Sequence, residues 1–360
     1  MKKTKLILLL LLISVNFGFA QIPQGYYDPA TGLTGTALKL ALHNIIKGHT
    51  VLSYGSLYSS FETTDAKPNG TVWDMYSDVP DGTPNGNPPY VYNFVSGDHC
   101  GNYSGEGDCY NREHSFPASW FNDASPMYTD LFHLLPTDGY VNNRRSNYPL
   151  GDVGTATWTS LNGSKLGPCS APGYTGIVFE PIDAFKGDFA RSYFYMSVRY
   201  YTEDSGWPGS PMVTGSQLKP WALEMLKQWS SQDPVSAKEI NRNNAVYSDQ
   251  HNRNPFIDHP EYISDIYGGI TGILETSHFV TVSVYPVPVG NSCQVDVAGL
   301  ESKPNAILLV YDITGRKEIL EQNSNGDHFE LNTSSLLPGI YILCVQDGNG
   351  KILTRARIVK

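Results

Sequence analysis

The run Asp108-Cys109-Tyr110-Asn111-Arg112-Glu113-His114-Ser115-Phe116-Pro117 holds residue types that could do chemistry. Glu113 offers a hard anionic oxygen to a divalent cation. His114 beside it can take a proton near neutral pH, because an unperturbed imidazole titrates at ~6.5. Adjacent Glu and His also occur on ordinary surfaces, so the pair needs company. Residues 129–147 supply it, with polar amides and two arginines behind Pro136. Thr137 or Asp138 is placed to cap a helix. On that helix Asn142 and Arg145 stand three apart and share a face. An amide oxygen and a guanidinium there could serve a metal and a phosphate, respectively. The competing reading is an amide that satisfies loop carbonyls and arginines that solvate a surface.

The elements that must position these residues lie in a chain of two textures. Residues 21 to about 275 are rich in Tyr, Asn, Gly and Pro with a few clear helices, and 40% hydrophobic residues exclude wholesale disorder. From about 279 the pattern turns to short alternating runs: Val280-Val282-Val284, Ile307-Leu309-Tyr311, Tyr341-Leu343-Val345 and Ile352-Ile358. Turn signals such as Asn325-Gly326 and Pro338-Gly339 separate them, which predicts a small β-sandwich. At the other end, Lys2, Lys3 and Lys5 precede an apolar run over 6–15, and Gly18-Phe19-Ala20 offers a cleavage site before Gln21. That pattern predicts a cleaved secretory signal over 1–20, too short to span a bilayer. Five cysteines then meet an oxidising compartment. Cys100 and Cys109 close a short polar, Gly-rich loop and are the expected disulfide, while spacing cannot fix the pairing of Cys169, Cys293 and Cys344. Zinc is disfavoured, since no C-x2-C pair and no suitably spaced His pair occurs.

Together the two chemical segments resemble the bacterial endonuclease I family of ββα-metal, or His-Me finger, nucleases. The likeness continues through Phe179-Glu180-Pro181-Ile182-Asp183-Ala184-Phe185-Lys186-Gly187-Asp188, a helix over 192–201, Trp229, Asp233-Pro234-Val235 and the 250–260 segment. The resemblance implies an α+β nuclease domain over 21–275, a linker over 276–282, and a non-specific endonuclease acting on DNA and RNA with 5′-phosphate products. It implies Glu113 and Asn142 as ligands of one Mg²⁺, with Ca²⁺ or Mn²⁺ as substitutes, and His114 as general base. Here the helix reads Tyr140-Val141-Asn142-Asn143-Arg144-Arg145, where better-known members have Glu before Val and Gly-Asp after Asn, so Asn143 is the alternative ligand. The loop after His114 lacks the phosphate-clamping Arg of some members, leaving Arg144, Arg145 or Arg191 to replace it.

The tail resembles the sorting domain of proteins exported by type IX secretion, on Val284-Tyr285-Pro286-Val287-Pro288, Val310-Tyr311-Asp312-Ile313-Thr314-Gly315-Arg316, Leu336-Leu337-Pro338-Gly339-Ile340-Tyr341 and a basic end. The family opening has Asn where Val287 stands. The resemblance implies that 283–360 is this all-β sandwich, that its partner is the type IX machinery, and that the product is a secreted or cell-surface monomer without a membrane span. An adhesive or sugar-binding sandwich is the competing reading of the tail.

Charge sets a puzzle for such a function. Residues 21–280 carry 15 Lys and Arg against 27 Asp and Glu. A polyanion substrate then requires the few cations to gather at the cleft. The expected nucleic-acid contacts are Arg112, Arg144, Arg145, Asn147, Lys186 and Arg191, with Arg199 extending the basic strip. His133 could line the cleft or tie a loop, and 250–258 is expected to brace the site, with Arg253 within reach of a phosphate. Asp98, Glu106 and Asp108 are a further candidate set for a structural Ca²⁺. The rivals to a nuclease are a phosphodiesterase with a non-polynucleotide substrate and a binding protein with a decayed site.

Overall fold

A computed structural model describes residues 22–80, 88–268, 281–298, 307–312, 316–322, 328–346 and 352–360. The signal segment and most of the linker lie outside these residues. The described residues fall into two compact units, one over 22–268 and one over 281–360. Among them no helix is long and apolar enough to cross a membrane.

The first unit mixes helices with small antiparallel sheets. Its helices are α1 (Gly35–Ile46), α2 (Leu57–Thr64), α3 (Gly139–Arg145), α4 (Asp183–Arg199), α5 (Pro220–Gln232), α6 (Ala237–Gln250), α7 (Pro255–Asp258) and α8 (Tyr262–Tyr267). Its strands are β1 (Tyr110–His114), β2 (Leu134–Asp138), β3 (Trp158–Thr159), β4 (Lys165–Pro168), β5 (Ile177–Glu180), β6 (Val213–Thr214) and β7 (Gln217–Leu218). Helix α4 is buried on nearly every side and packs against α1, α5 and α7, so it forms the axis of the core. It begins at Asp183, nine residues before the expected start, and runs through Gly187. A Cβ at Gly187 would stand 2.0 Å from the Asp233 carbonyl oxygen, so glycine is the side chain that this crossing admits. Local signals explain the neighbouring starts. Pro220 opens α5 at its first turn, and Ser236 with Glu239 forms a full capping box for α6.

Strands β1 and β2 pair antiparallel, with Glu113 opposite Leu135 and His114 opposite Leu134. The chain passes from β2 straight into α3, where the Asp138 side chain accepts from the Val141 amide at 2.7 Å and caps the helix. Side chains alternate across a strand, so Tyr110, Arg112 and His114 share one face of β1 and Asn111 and Glu113 the other. The Cys100–Cys109 disulfide closes the loop that leads into β1. It packs against the start of α3 so closely that a Cβ on Gly139 would lie 2.2 Å from the Cys100 sulfur.

The second unit is a two-sheet sandwich, formed by β8 (Thr281–Tyr285), β9 (Ser292–Ala298), β10 (Ile307–Asp312), β11 (Lys317–Gln322), β12 (His328–Asn332), β13 (Ile340–Gln346) and β14 (Ile352–Val359). The orders are β11-β10-β13-β14 and β12-β9-β8. Strand β8 begins inside the expected linker, at Thr281. Both sheets feed one core that includes Val295, Val297, Phe329, Leu343, Val345 and Ile358. On β10 the sandwich core takes Leu308 and Val310, while Leu309 of the Ile307-Leu309-Tyr311 run read from the sequence is buried outside that cluster and Ile307 and Tyr311 are half-buried. Five apolar-compatible positions in a row leave the parity of that strand open to either face.

Candidate active site

Two strands and a helix bring Glu113, His114 and Asn142 to one cavity of about 390 Å³. Arg112, Asn143, Arg145 and Asn147 also line it, as does Asp123.

Glu113 is almost wholly buried at the end of β1. Its Oε1 accepts from the Tyr76 hydroxyl at 2.8 Å and lies 3.1 Å from Nη1 of Arg145. Burial pushes its carboxyl above the usual range, against the smaller opposing pull of Arg145 and Tyr76. Oε2 accepts no hydrogen bond among the described residues. Asn142 donates Nδ2 to Oδ1 of Asn111 at 2.7 Å, and its own Oδ1 accepts from no donor among the described residues. Two hard oxygens at the edge of a solvent cavity are a donor set that suits Mg²⁺, which keeps several waters and takes few protein ligands.

The His114 ring stacks on Tyr128, with centroids 4.8 Å apart, and its Nε2 sits 3.0 Å from the Tyr128 carbonyl oxygen. A carbonyl can only accept, so Nε2 carries the proton and Nδ1 keeps a bare lone pair. Burial pushes the imidazole down to about 3, assisted by His133, Arg112 and Arg145. The ring is therefore neutral far below the pH expected for an exposed histidine.

The loop between β1 and β2 is tied from beneath. Asp130 is fully buried and accepts from Tyr195 at 2.8 Å, Tyr200 at 2.7 Å, Gln250 at 3.0 Å and the Phe132 amide at 3.1 Å. Burial alone would raise this carboxyl, but His49, His133, Gln250 and Tyr200 hold it at about 2. His133 is wholly buried and bonds the Met127 carbonyl at 2.8 Å, so it ties the loop rather than lining the cleft. The 250–258 segment braces this region, and Arg253 is locked to Asp258 instead of facing a phosphate.

Several expected nucleic-acid contacts are spent on the fold itself. Arg145 is 1% exposed, and donates to the carbonyls of His114 at 3.0 Å and Ser115 at 2.5 Å besides facing Glu113. Its helical face is right, but the side chain points under β1. Arg191 is wholly buried against Glu239 and the Asp233 carbonyl, and Lys186 is held by Glu180, Asp183 and Asp152. Arg199 pairs with Glu203. The basic strip therefore shrinks to Arg112, which lines the cavity, and Arg144, exposed on α3 above the Trp158 ring at 5.3 Å. Asn147 sits exposed at the rim. The candidate Ca²⁺ set does not converge. Asp98 accepts from the Asn93 amide, Asp108 from Ser104 and Gly105, and Glu106 from Leu161.

Sequence reading missed Tyr76, Tyr128 and Asn111. Asn111 was within reach, because it lies two residues before Glu113 on the same strand face. Tyr76 and Tyr128 carry no motif that separates them from the other tyrosines.

The endonuclease I family profile matches residues 34–261, and a secretion system C-terminal sorting domain profile matches 283–360. An extracellular ribonuclease of Bacillus amyloliquefaciens is 41% identical over 256 residues, covering 68% of this chain and 78% of its own length. One from Bacillus subtilis (strain 168) is 38% identical over 251 residues, covering 67% and 78%. An extracellular deoxyribonuclease of Aeromonas hydrophila is 29% identical over 141 residues, covering 38% and 52%. The chain thus belongs to the endonuclease I family and carries the sorting domain of type IX export at its C-terminus.

Proposed function

We propose that the protein is a secreted, metal-dependent endonuclease that hydrolyses phosphodiester bonds of DNA and RNA outside the cell. The observation that carries this reading is one cavity that gathers His114, anchored through Nε2 to the Tyr128 carbonyl, with the oxygens of Glu113 and Asn142 that have no donor among the described residues. The strand–strand–helix order of β1, β2 and α3 supports assignment to the ββα-metal class. Relatives named for ribonuclease and deoxyribonuclease activity support both substrates.

His114 Nδ1 takes the proton of the attacking water, and the Tyr128 carbonyl fixes the ring for that task through Nε2. Glu113 and Asn142 would hold Mg²⁺, kept in place by Arg145, Tyr76 and Asn111. When bound, the cation supplies neutralisation of charge on the phosphoryl oxygens and on the departing 3′ oxygen, which gives 5′-phosphate products. The surrounding rings of Tyr54, Tyr128 and Phe121 shield the half-buried imidazole and favour its neutral form, while the ring still lines the cavity.

The test is cleavage of plasmid DNA and of RNA by the purified protein with Mg²⁺, with and without EDTA, beside His114→Ala. Cleavage lost on chelation, and reduced by about 10²–10⁴ in the variant, is expected. Wild-type rates in the variant or in EDTA would overturn the assignment.

A further inference from the structure

Arg112 stands in a column of rings that leads from His114 to the surface. Its guanidinium lies 3.7 Å from the ring centroid of Tyr54 and 4.6 Å from that of Tyr58. Tyr58 stacks on His99 with centroids 3.6 Å apart and planes within 9°. At the inner end Tyr54 lies 4.8 Å from Tyr128, and its plane is nearly parallel to that of the His114 ring, at 7° with centroids 6.4 Å apart. One line of π faces and one cation thus connects the catalytic histidine to His99.

Tyr54 and Tyr58 pack against the core on one side, but that packing does not account for Arg112 between them or for the open face of His99. Helix α2 supplies the core through Leu57 and Phe61, both wholly buried, while Tyr58 stands one step round the helix and is half-exposed. Tyr54, Arg112 and His99 are half-exposed as well. Arg112 donates Nη1 to the Tyr54 carbonyl at 2.8 Å, but its Nε is buried without a partner, and it has no acidic partner among the described residues. That is unusual in a unit where most cations are ion-paired. His99 is stacked by Tyr58 on one face, and its other ring contact is the edge of Tyr110, whose hydroxyl meets Nε2 at 2.9 Å. Its second face carries no stacked ring among the described residues. Aromatic rings interleaved with a guanidinium are the surface on which unpaired bases stack while their phosphates find a cation.

We propose that this column is a subsite for single-stranded nucleic acid, with one unpaired base stacked on His99 and a phosphate of an adjoining nucleotide on Arg112, so that the enzyme favours unpaired over duplex substrate. A base inside a duplex has both faces covered and cannot use the site without being unstacked. The subsite rests on the nuclease reading given above. Tyr58 and Tyr54 are positioning residues that hold the His99 ring and the Arg112 plane.

Two substitutions separate the ring from its hydrogen bond. His99→Gln keeps a polar group for the Tyr110 hydroxyl and removes the π face. His99→Phe keeps the face and removes the polar group. Each is made in the full chain carrying His114→Ala, and binding is measured to a labelled 12-mer single strand and to the same sequence as a duplex, with Mg²⁺ present. His99→Gln is expected to lose about 5- to 150-fold on the single strand and under twofold on the duplex. His99→Phe is expected to stay within about threefold of its parent on both. Equal losses on both substrates, no loss on the single strand, or a His99→Phe protein as weak as His99→Gln would each overturn the subsite. Failure of the nuclease reading is read separately, as absence of Mg²⁺-dependent cleavage of either strand form by the wild-type chain.

Discussion

Replacing Arg145 by Met separates two roles that sequence could not tell apart. Were the side chain a phosphate clamp, its loss would raise KM and leave stability alone. The structure instead puts it beneath β1, facing Glu113 at 3.1 Å with 1% exposure. Removing one member of a buried ion pair strands the other charge, at a cost of about 3–5 kcal/mol. The same change frees the His114 and Ser115 carbonyls from their donor, although Tyr193 still donates to Ser115 at 2.7 Å. In a unit of this size each kcal/mol corresponds to about 2–4 °C, so Tm of the metal-free protein should fall by roughly 6–20 °C. Adding Glu113→Gln removes the stranded charge and should recover a large part of that loss, since the two sites couple directly. Thermal melts of the two single variants and the double variant measure this. An unchanged Tm with a raised KM would refute the structural role and return Arg145 to the substrate.

Asn142→Ala should raise the Mg²⁺ concentration needed for half-maximal cleavage by an order of magnitude or more, whereas Asn143→Ala, exposed and outside the Asn111 hydrogen bond, should change it less than twofold. A metal titration of both variants checks the helix register, and the reverse pattern would move the ligand to Asn143. For pH, burial lowers the His49 and His133 pKa values below 6.5, so these rings stabilise the fold above that value and lose the contribution as pH falls beneath it. Asp130, held at about 2, contributes above its ordinary 3.8 and loses that stability as pH drops towards 2. All three signs agree. Buried carboxyls raised by desolvation, Asp233 and Glu239 among them, act in the opposite sense, so the test compares Asp130→Asn with the wild type: the Tm deficit of the variant should shrink as pH falls from 7 towards 2, and a deficit independent of pH would contradict the assignment. Removing residues 283–360 should leave cleavage in vitro within about twofold, because each unit has its own core, while export from the cell is lost. A catalytic defect in the purified truncated protein would make the tail part of the active enzyme.

Much of the candidate site was legible because its signals are local. Glu113-His114 is a contiguous pair, Asp138 is a cap at a fixed offset, and the Cys100–Cys109 loop is short enough to read directly. The tail was legible for the same reason, since period-two runs declare strands without help from distant residues. What failed was the fate of charged side chains. Arg145, Lys186, Arg191 and Arg199 each stand on a segment near the motif, and spacing placed Arg145 correctly on the Asn142 side of α3. Whether a guanidinium turns to solvent or under a strand depends on a partner far away in sequence, such as Glu239 for Arg191. The start of α4 was missed because Gly187 looks like a breaker until the close passage of Asp233 is known. The column through Tyr54, Tyr58 and His99 was invisible for a further reason. Its members come from two helical segments, a loop and β1, and only the fold aligns their faces.

These fates also resolve how an acidic unit can handle a polyanion. Ten of its 15 cations face carboxylates in the structure, from Lys67 to Arg253, so they neutralise the protein rather than the substrate. Near the cavity the cations without a carboxylate partner among the described residues are Arg112 and Arg144. Two phosphate contacts predict a log–log salt slope of about −1.4 on single strands, from −0.7 per phosphate, against about −3 for the four or so contacts a basic strip would make. Surface repulsion beyond ~8 Å is screened at physiological ionic strength, so the net negative charge hinders approach only weakly there. On the proposed reading affinity comes from short-range terms instead: a divalent cation that Glu113 and Asn142 would hold, and one base stacked on the open face of His99. Binding of the His114→Ala protein to a single-stranded 12-mer between 50 and 200 mM salt, at fixed Mg²⁺, measures the slope. A value steeper than about −3 would mean that more cations reach the substrate than the ion pairs allow, and that the side chains now read as internal struts swing outward when nucleic acid binds.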